Sequence, residues 1–565
     1  MRKFTRWTRL AAVAVLATAG CKSLAVTNPN NPDAARAFSD PGAVAGLVTG
    51  AIRNWVQTRQ AYDGPLVLSA MADGYTASWN NFNLRYYTSF GNECPARCGW
   101  SNSPTSSFRF EIETVWYGFY GLLSSVNDVL TAIRTNHVTI TDVPTTKMLE
   151  AASVMVQGVV FANIAMHYDH GFVVTEATDL SNPLALPLNT RAVMRDSAIA
   201  KFDQAIALMN AAGFSTSPTT WLGATNGPVY SSAQFVKLIR TMQAEVLAMY
   251  PRNAAENATV NWGQVATYAA AGLSSGTPFD FTFYSDQVNM IDGEKNWSND
   301  ITTMRVDTRL AHNLTAGPNP AKVHVDPWPS PDGNPQPDAF DKRVGDGTWG
   351  PSDDFLGVGT IGDSGHGATD FAFAGKPIFP SARGQYHQSN LGQIRYSYLA
   401  YPGYGLPTED GKGLAPVYTA TLNDLLWAEG LIRSGGNAAQ AAALINKTRE
   451  VRGGLSHLTG GEGTATLLSA LQYEQDAELL GLGSEPFFNR RRIDGLLAMT
   501  PRQMPIPAKE LAILKKEFYS FGGPDNPAGL APGVDDNGNP IVSVRERGEA
   551  ILKANLLQAR RHHRN

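Results

Sequence analysis

The chain has 565 residues, with 46 Lys and Arg against 50 Asp and Glu, and charged residues make up only 17% of it. This slightly acidic balance, without a basic stripe, argues against a nucleic-acid partner. The length would allow several domains, and the plentiful Gly, Asn, Ser and Thr are typical of a folded extracellular protein with long polar loops rather than of a disordered chain.

The first twenty residues have the pattern of an export signal. Residues 1–9 carry four basic side chains and no acid, and an apolar run from Leu10 to Ala19 follows. The run is about half as long as a helix that crosses a bilayer, so we predict a signal peptide at residues 1–20 that is removed. Its loss leaves 42 Lys and Arg against 50 Asp and Glu, a formal net charge of −8. We expect no later stretch to be apolar enough to span a membrane.

Cys21 follows this segment directly and is the candidate lipidation site. Thr18-Ala19-Gly20-Cys21 resembles a bacterial lipobox, although Thr18 stands where Leu is usual. The resemblance implies that Cys21 is acylated and tethers a soluble domain to a lipid bilayer. The alternative is an ordinary signal peptide followed by an unrelated cysteine. Lys22 and Ser23, and no Asp, stand directly after Cys21, so nothing indicates retention in the inner membrane.

The other two cysteines, Cys94 and Cys98, flank only three residues. In an oxidising envelope, a disulfide that closes a small loop is the leading interpretation. A zinc half-site is the alternative, but it would need a second pair of ligands and no cysteine remains to supply them.

Helical patterns fall into two blocks. In the first block, apolar residues spaced three and four apart predict helices at Ala43–Gln57, Ile112–Arg134, Met155–Met166, Ile199–Met209, Phe235–Met249 and Trp262–Gly272. A cap and an early proline, Asp40-Pro41, predict the start of the first helix. Three more helices begin near Thr421, separated by glycine-containing breaks. Short turns of this kind indicate tetratricopeptide-like helical hairpins, which bury one continuous core when they stack.

The segment between the blocks differs in composition. Pro, Gly, Asp and Asn dominate residues 274–417, and short apolar runs such as Phe371-Ala372-Phe373 predict strand fragments. We therefore predict a mostly α fold with a loop-rich insertion at 274–417 between a helical part at 21–273 and another at 418–565. We expect residues 21–565 to form one compact unit.

Five short motifs occur in an order that resembles the SusD/RagB family of nutrient-binding outer-membrane lipoproteins. They are Trp116–Tyr120 with Asn127, Leu425–Glu429, Ala443–Arg449 followed by Gly453-Gly454-Leu455, Glu474 and Glu478 before Arg490-Arg491-Arg492, and Met504–Leu511. The chain departs from the family pattern at Gln157-Gly158, where Arg-Ala is common, at Gly430, where a second alanine is usual, and at Glu474-Gln475, which replaces a Glu-Arg pair.

The resemblance implies a surface protein of the outer membrane that faces the cell exterior. It implies binding of an oligosaccharide or a peptide without cleavage, and delivery to a SusC-like TonB-dependent transporter. A secreted or lipid-anchored glycan hydrolase is the alternative function, and a purely structural surface protein is a third. Two of the usual enzyme signatures, a phosphate-binding loop and H-E-x-x-H, do not occur in the sequence.

Aromatic rings beside amides in loops are the candidate ligand contacts, because a sugar presents an apolar face and hydroxyl groups. The candidates are Trp79, Asn80, Asn81, Tyr86, Trp100, Trp297 and Asn299. Loops on a rigid scaffold are where binding residues concentrate. The alternative is that these rings only pack the loops against the scaffold. Trp116, Tyr120, Trp262 and Trp427 lie on helical stripes, and we assign them to the core.

Three other groupings could carry chemistry. Glu474 and Glu478, four residues apart on a helix, have a spacing near that of a glycosidase pair. They share a stripe with Leu467 and Leu471, so we expect a buried ion-pair network instead, with Arg449, Arg490 and Arg491 as candidate partners.

His167-Tyr168-Asp169-His170 could bind a metal, but it is more typical of a hydrogen-bonded helix terminus. Asp535–Asn539 could hold a structural calcium, although a polar turn is the commoner outcome. We predict no other cofactor.

Overall fold

The computed structural model describes residues 40–77, 84–88, 97–298, 304–317, 340–346, 366–373, 387–389, 391–396, 404–406, 409–497 and 499–522. Most of these residues are helical, and the predicted mostly α fold is confirmed. The first helix, α1 (Pro41–Arg59), begins as predicted, because the Asp40 side chain accepts a hydrogen bond from the Gly42 amide and Pro41 occupies the first turn.

The N-terminal helices stack side by side in chain order. The long ones are α4 (Phe110–Arg134), α5 (Val143–His167), α6 (Arg191–Ala212) and α7 (Ser232–Met249), and the shorter α8 (Ala254–Ala258) and α9 (Trp262–Ala270) follow. Helix α1 packs on α4, each of α4, α5 and α6 packs on the next, and α9 packs back on α7. Antiparallel neighbours of this kind form the tetratricopeptide-like hairpins that the sequence predicted.

Helix α5 lies at the centre of the core. It is long and apolar enough to cross a membrane, with a mean hydropathy of 1.5, but 94% of that window is buried inside the protein. Our expectation that no later stretch is apolar enough to span a membrane was therefore wrong. The helix is apolar on every side because other elements surround it. Gly158 permits this packing, since a Cβ there would lie 2.6 Å from the Phe202 ring of α6.

The second helical block adds five helices within the described part of the chain. They are α12 (Ala420–Arg433), α13 (Ala438–Arg449), α14 (Thr464–Glu478), α15 (Glu485–Arg492) and α16 (Ala508–Ile513). Helix α12 packs on α9 and so joins the two blocks. At this contact a Cβ on Gly430 would lie 2.6 Å from the Ala266 backbone nitrogen. The close approach explains why glycine replaces the second alanine of the family pattern.

Short antiparallel strands pair within the insertion, within the N-terminal part and between the two. The pairs are β1 (Tyr75–Ala77) with β5 (Met304–Val306), β2 (His170–Gly171) with β3 (Asn189–Thr190), β6 (Phe371–Phe373) with β7 (Leu391–Gln393), and β9 (Glu409–Tyr418) with both β4 (Phe281–Ser285) and β8 (Tyr404–Leu406). The β4–β9 pair joins the beginning of the insertion to its end, and β1–β5 ties it to the N-terminal part. The predicted strand at Phe371–Phe373 is confirmed.

The remaining helices are short: α2 (Val67–Met71), α3 (Leu84–Thr88), α10 (Gly293–Ser298) and α11 (Thr308–Ala316). The aromatic residues that we assigned to helical stripes pack in the core. Trp116 and Trp262 are buried, and Tyr120 and Trp427 are partly buried against the core.

Candidate functional site

One end of the β1–β5 ladder adjoins, in sequence, two of the segments that carry predicted ligand contacts. Ala77, the last residue of β1, pairs with Met304, the first residue of β5. Trp79 follows Ala77 by two residues, and Asn299 precedes Met304 by five. Because the strands are antiparallel, the chain continues from both ends at the same edge. The described strand ends next to the two candidate segments, which are far apart in sequence, thus lie at the same edge of the ladder.

Several predicted residues lie outside the described part of the chain. These are Cys21, Trp79, Asn80, Asn81, Cys94, Asn299 and Asp535–Asn539. Their predicted roles in lipidation, ligand contact, disulfide pairing and calcium binding stay predictions.

Tyr86 belongs to an aromatic cluster next to the ladder. Its ring stacks on Phe108 with 4.3 Å between the centroids and meets Tyr87 edge-on at 4.9 Å. Tyr86 is only partly buried, whereas Tyr87 is fully covered. The cluster therefore holds Tyr86 in place and leaves part of it accessible to a ligand.

Trp100 packs into the protein instead of presenting its ring. Only 4% of the residue is exposed, and its indole nitrogen donates to the Gln503 carbonyl at 2.8 Å. Its backbone nitrogen donates to the Phe521 carbonyl at 3.0 Å. A ring so covered offers no face for a sugar, so Trp100 here takes the packing role that the sequence left as the alternative.

Arg97 and Cys98, before Trp100, are held by buried contacts. Cys98 is buried and disulfide-bonded. The guanidinium of Arg97 is buried, donates to the Tyr87 carbonyl at 2.7 Å and pairs with the Asp73 carboxylate. These bonds fix Arg97 and Cys98 directly before Trp100.

Trp297 sits near the end of α10 and is partly buried against the core. The helix that carries it is unusually polar for a buried element. Lys295 is fully buried, lies 3.1 Å from the Asp292 carboxylate and donates to the Pro416 carbonyl at 2.9 Å. Burial raises the pKa of Glu294 to about 8, although Lys295 acts in the opposite direction. Trp297 thus lies on a short helix, α10, that is bonded to β9 through Lys295 and Pro416.

Glu474 and Glu478 lie in a buried ion-pair network and not in a cleft. Arg343 of the insertion donates to Glu474 at 2.9 Å and to Glu478 at 2.6 Å, and none of the three side chains is more than 1% exposed. Arg452 contacts the other Glu478 oxygen at 2.8 Å. With both carboxylates engaged away from solvent, the pair has no room for a substrate, and the network predicted from the sequence is present.

The partners that we expected for this pair were wrong. Arg449 donates to the Ser456 carbonyl instead, at 2.9 Å. Arg491 donates to the backbone carbonyls of Met166 and Met249 at 2.7 and 2.9 Å. Arg490 lies 3.6 Å from the carboxylate of Asp476. Arg343, which contacts both glutamates, belongs to the insertion. The insertion has no periodic sequence pattern, so this contact could not be predicted.

His167 ends α5 and is hydrogen-bonded on both ring nitrogens. Its Nδ1 lies 2.8 Å from the Asn163 carbonyl, and its Nε2 lies 2.9 Å from the Ser484 hydroxyl. Burial lowers the pKa of His167 to about 3, so the ring is neutral at physiological pH. His170 pairs with Asp169 at 2.9 Å. This is the hydrogen-bonded helix terminus that the sequence favoured over a metal site.

A buried cluster that the sequence did not reveal contains Asp73, Asp307 and His387, whose side-chain atoms lie within 4.8 Å of one another. Such a grouping has the composition of a metal site. Two guanidinium groups already contact Asp73, however. Arg97 pairs with its carboxylate, and Arg309 donates to its backbone carbonyl at 3.3 Å. We therefore assign the cluster to the buried ion-pair network, where guanidinium groups supply the positive charge.

No family model and no curated protein sequence matches the chain. Solved structures do. A SusD-like carbohydrate-binding protein from Bacteroides fragilis NCTC 9343 matches with a TM-score of 0.53 and 11% identity, over 80% of this chain and 86% of that chain. A SusD superfamily protein from Parabacteroides distasonis ATCC 8503 matches with a TM-score of 0.54 and 11% identity, over 83% and 98%.

Surface glycan-binding protein A from Bacteroides thetaiotaomicron matches with a TM-score of 0.51 and 14% identity, over 86% of this chain and 99% of that chain. The chain therefore has the SusD-like fold, as the resemblance of its short motifs implied. At these identities the likeness is one of architecture, and the chemistry has to be argued from this chain's own residues.

Proposed function

We propose that the chain is a lipoprotein of the outer membrane that binds an oligosaccharide at the cell surface and delivers it to a SusC-like TonB-dependent transporter. The observation that carries the proposal is the fold, which the chain shares with a SusD-like carbohydrate-binding protein and with a surface glycan-binding protein over at least 80% of its length. The ordered motifs in the sequence support the same assignment independently.

The ligand surface in this proposal is the edge where Ala77 pairs with Met304. We place Trp79, Asn80, Asn81, Tyr86, Trp297 and Asn299 there as ligand contacts and leave Trp100 out. An aromatic ring covers the C–H face of a sugar, while an amide exchanges hydrogen bonds with its hydroxyls. Buried anchors such as Arg97 hold the surroundings still, which lowers the entropic cost of binding.

Membrane attachment is assigned to Cys21. In this proposal Cys21 becomes the acylated N-terminus after the signal peptide is removed, and two or more acyl chains give stable anchoring. About twenty residues separate Cys21 from α1, which begins at Pro41.

We propose binding without turnover. The carboxylate pair that most resembles a glycosidase centre, Glu474 with Glu478, is engaged by Arg343 and buried. The alternative of a glycan hydrolase would need another pair of carboxylates. A peptide is the second ligand class that aromatic and amide side chains would suit.

Binding and cleavage can be measured in one experiment. We would purify the chain with Cys21→Ser, titrate it with a panel of neutral oligosaccharides by calorimetry, and assay the same mixtures for new reducing ends. We expect binding, no product, and about tenfold weaker affinity in the Trp79→Ala variant.

The matched control is Phe518→Ala, which removes an aromatic ring that is 51% exposed elsewhere. It should bind as the parent does. Product formation, or binding to peptides alone, would overturn the proposal.

Attachment and partnership need a separate test in cells. Wild-type protein should sediment with outer membranes and co-purify with a TonB-dependent transporter, whereas Cys21→Ser should become soluble. A Cys21→Ser protein that stays in the membrane fraction would refute acylation of Cys21.

A further inference from the structure

A cavity lies among the N-terminal helices, and the elements that line it are not those next to the predicted ligand segments. Its volume is about 560 Å³, and its lining comes from α6, the end of α7, α8 and the start of α9. This volume falls within the range of about 300–1,000 Å³ that small-molecule sites occupy. The site proposed above at the β1–β5 edge does not use any of these elements.

The charges in this cavity cancel in pairs. Arg191 binds both carboxylate oxygens of Glu256, at 2.8 and 2.7 Å. Arg195 pairs with the neighbouring Asp196 at 2.8 Å. With each cation neutralised, the cavity has no net charge to attract an ionic ligand, and ions would have to displace a bidentate partner.

The two guanidinium groups are also held in position by an aromatic ring. Their central carbons lie 4.3 Å (Arg191) and 4.6 Å (Arg195) from the centroid of the Tyr250 ring. Stacking of this kind restricts the side chains before a ligand arrives. The apolar side chains of Ile199 and Leu247 also line the cavity.

Neutral polar groups complete the lining. The side-chain amide of Gln264 and the hydroxyls of Tyr250 and Tyr268 have no hydrogen-bond partner within the described part of the chain. All three residues are only partly buried. They can therefore donate to and accept from a bound molecule without giving up an internal bond, which makes such binding less costly.

From these observations we infer that the cavity between α6 and α9 is a second binding site, for a neutral saccharide. Apolar side chains suit the C–H face of a sugar, an amide and two phenols suit its hydroxyls, and the absence of net charge disfavours anions and cations. The volume admits about two or three sugar rings. The inference extends the proposed function by adding a contact remote in sequence from the loop site.

A steric block tests the inference without disturbing the core. Thr259 is an exposed residue of the cavity lining, and its hydroxyl donates to the Glu256 carbonyl at 2.8 Å. Thr259→Trp should fill the cavity. Thr267→Trp is the matched control, because Thr267 is equally exposed, makes the same kind of local bond to Gly263 at 2.9 Å and does not line the cavity.

The probes are maltotriose, cellotriose, xylotriose and mannotriose, titrated by calorimetry into the mature chain and its variants. We expect at least one triose to bind at the cavity, with affinity weakened about tenfold in Thr259→Trp and in Gln264→Ala and unchanged in Thr267→Trp. Footprinting with hydroxyl radicals should show protection of the peptide that contains Tyr268.

The outcomes separate the two sites. If Trp79→Ala abolishes all triose binding and Thr259→Trp changes nothing, the cavity inference fails and the loop site stands. If only Thr259→Trp weakens binding, the cavity inference stands and the loop site fails. Preference for an acidic sugar or a peptide at the cavity, or no triose binding to the wild-type chain at millimolar concentration, would also overturn the inference.

Discussion

The guanidinium of Arg343 lies 2.6 Å from the carboxylate of Glu478, and both side chains are buried. Arg343 belongs to the insertion and Glu478 to α14, so this contact fastens the insertion to the C-terminal helices. Asp341 and Glu474 add two further carboxylates to the same guanidinium, at 2.6 and 2.9 Å. One guanidinium therefore contacts three buried acids.

Removing this cation should be strongly destabilising. We expect Arg343→Met to lower the free energy of unfolding by about 3–5 kcal/mol, because three buried carboxylates would lose the guanidinium that they share. Chemical denaturation followed by circular dichroism measures the loss. The control is Arg240→Met, which breaks a more exposed pair with Asp203 at 3.5 Å and should cost about 1 kcal/mol or less. Similar losses in the two variants would contradict the assignment.

Neutralising the carboxylates tests the same network from the other side. Glu474→Gln combined with Glu478→Gln should lower stability, because Arg343 then loses charged acceptors in a buried site. Saccharide affinity should stay within about twofold of the parent, since the pair is not part of the proposed ligand surface. Calorimetry on the folded variant measures this affinity, and loss of a saccharide-cleaving activity in the variant would restore the hydrolase alternative.

Gly430 should not tolerate a methyl group. A Cβ there would lie 2.6 Å from the Ala266 backbone nitrogen, so we expect Gly430→Ala to cost about 1–3 kcal/mol by forcing α12 away from α9. Gly121 of α4 has no atom within 4 Å of its hypothetical Cβ. Gly121→Ala should therefore stabilise the protein by about 0.5–1 kcal/mol through better helix propensity. Thermal melts compare the two, and an equal sign for both changes would refute the close contact.

Glu294 should make stability depend on pH. Its pKa of about 8 in the folded state lies above the ordinary value of 4.5. Between these two pH values the folded protein keeps a proton on Glu294 that the unfolded chain releases. The stabilisation from the neutral carboxyl is complete below the unfolded pKa and is lost as the pH rises towards 8.

Glu294→Gln removes this dependence and keeps the side chain uncharged. Relative to the parent, the variant should gain up to about 1.4 kcal/mol of stability per pH unit between about pH 5 and pH 8. Urea denaturation across that interval measures the difference, in which the contributions of other titrating groups cancel. A constant difference would mean that Glu294 is already ionised in the folded protein.

The helices could be predicted because their signals are local. Asp40 and Pro41 marked the start of α1, and the apolar spacing located the long helices of both blocks. The packing role of Trp100 could not be predicted, because the same letters describe a ring that stacks on a ligand and one that packs in the core against Tyr87. The Asp73, Asp307 and His387 cluster was hidden for a related reason, since its members are brought together by chain segments with no periodic pattern.

The candidate site was predictable in composition but not in arrangement. Aromatic and amide residues around Trp79 and Asn299 were recognisable, yet only the pairing of Ala77 with Met304 showed that both segments begin at the same edge. The cavity between α6 and α9 has no sequence motif, because its polar groups come from three helices and from Tyr250 just after α7, and its charges cancel only through their pairing.

Arg59 of α1 pairs with Glu485 of α15 at 3.0 Å, across 426 positions of the chain. Its other partner, Glu245, belongs to α7, so one guanidinium connects the beginning, middle and end of the protein. During synthesis Arg59 must wait for most of the polypeptide before its second carboxylate partner, Glu485, is made, and loops of that length close slowly. The growing chain is consequently expected to remain incompletely folded, and dependent on holding factors, until its last helices emerge.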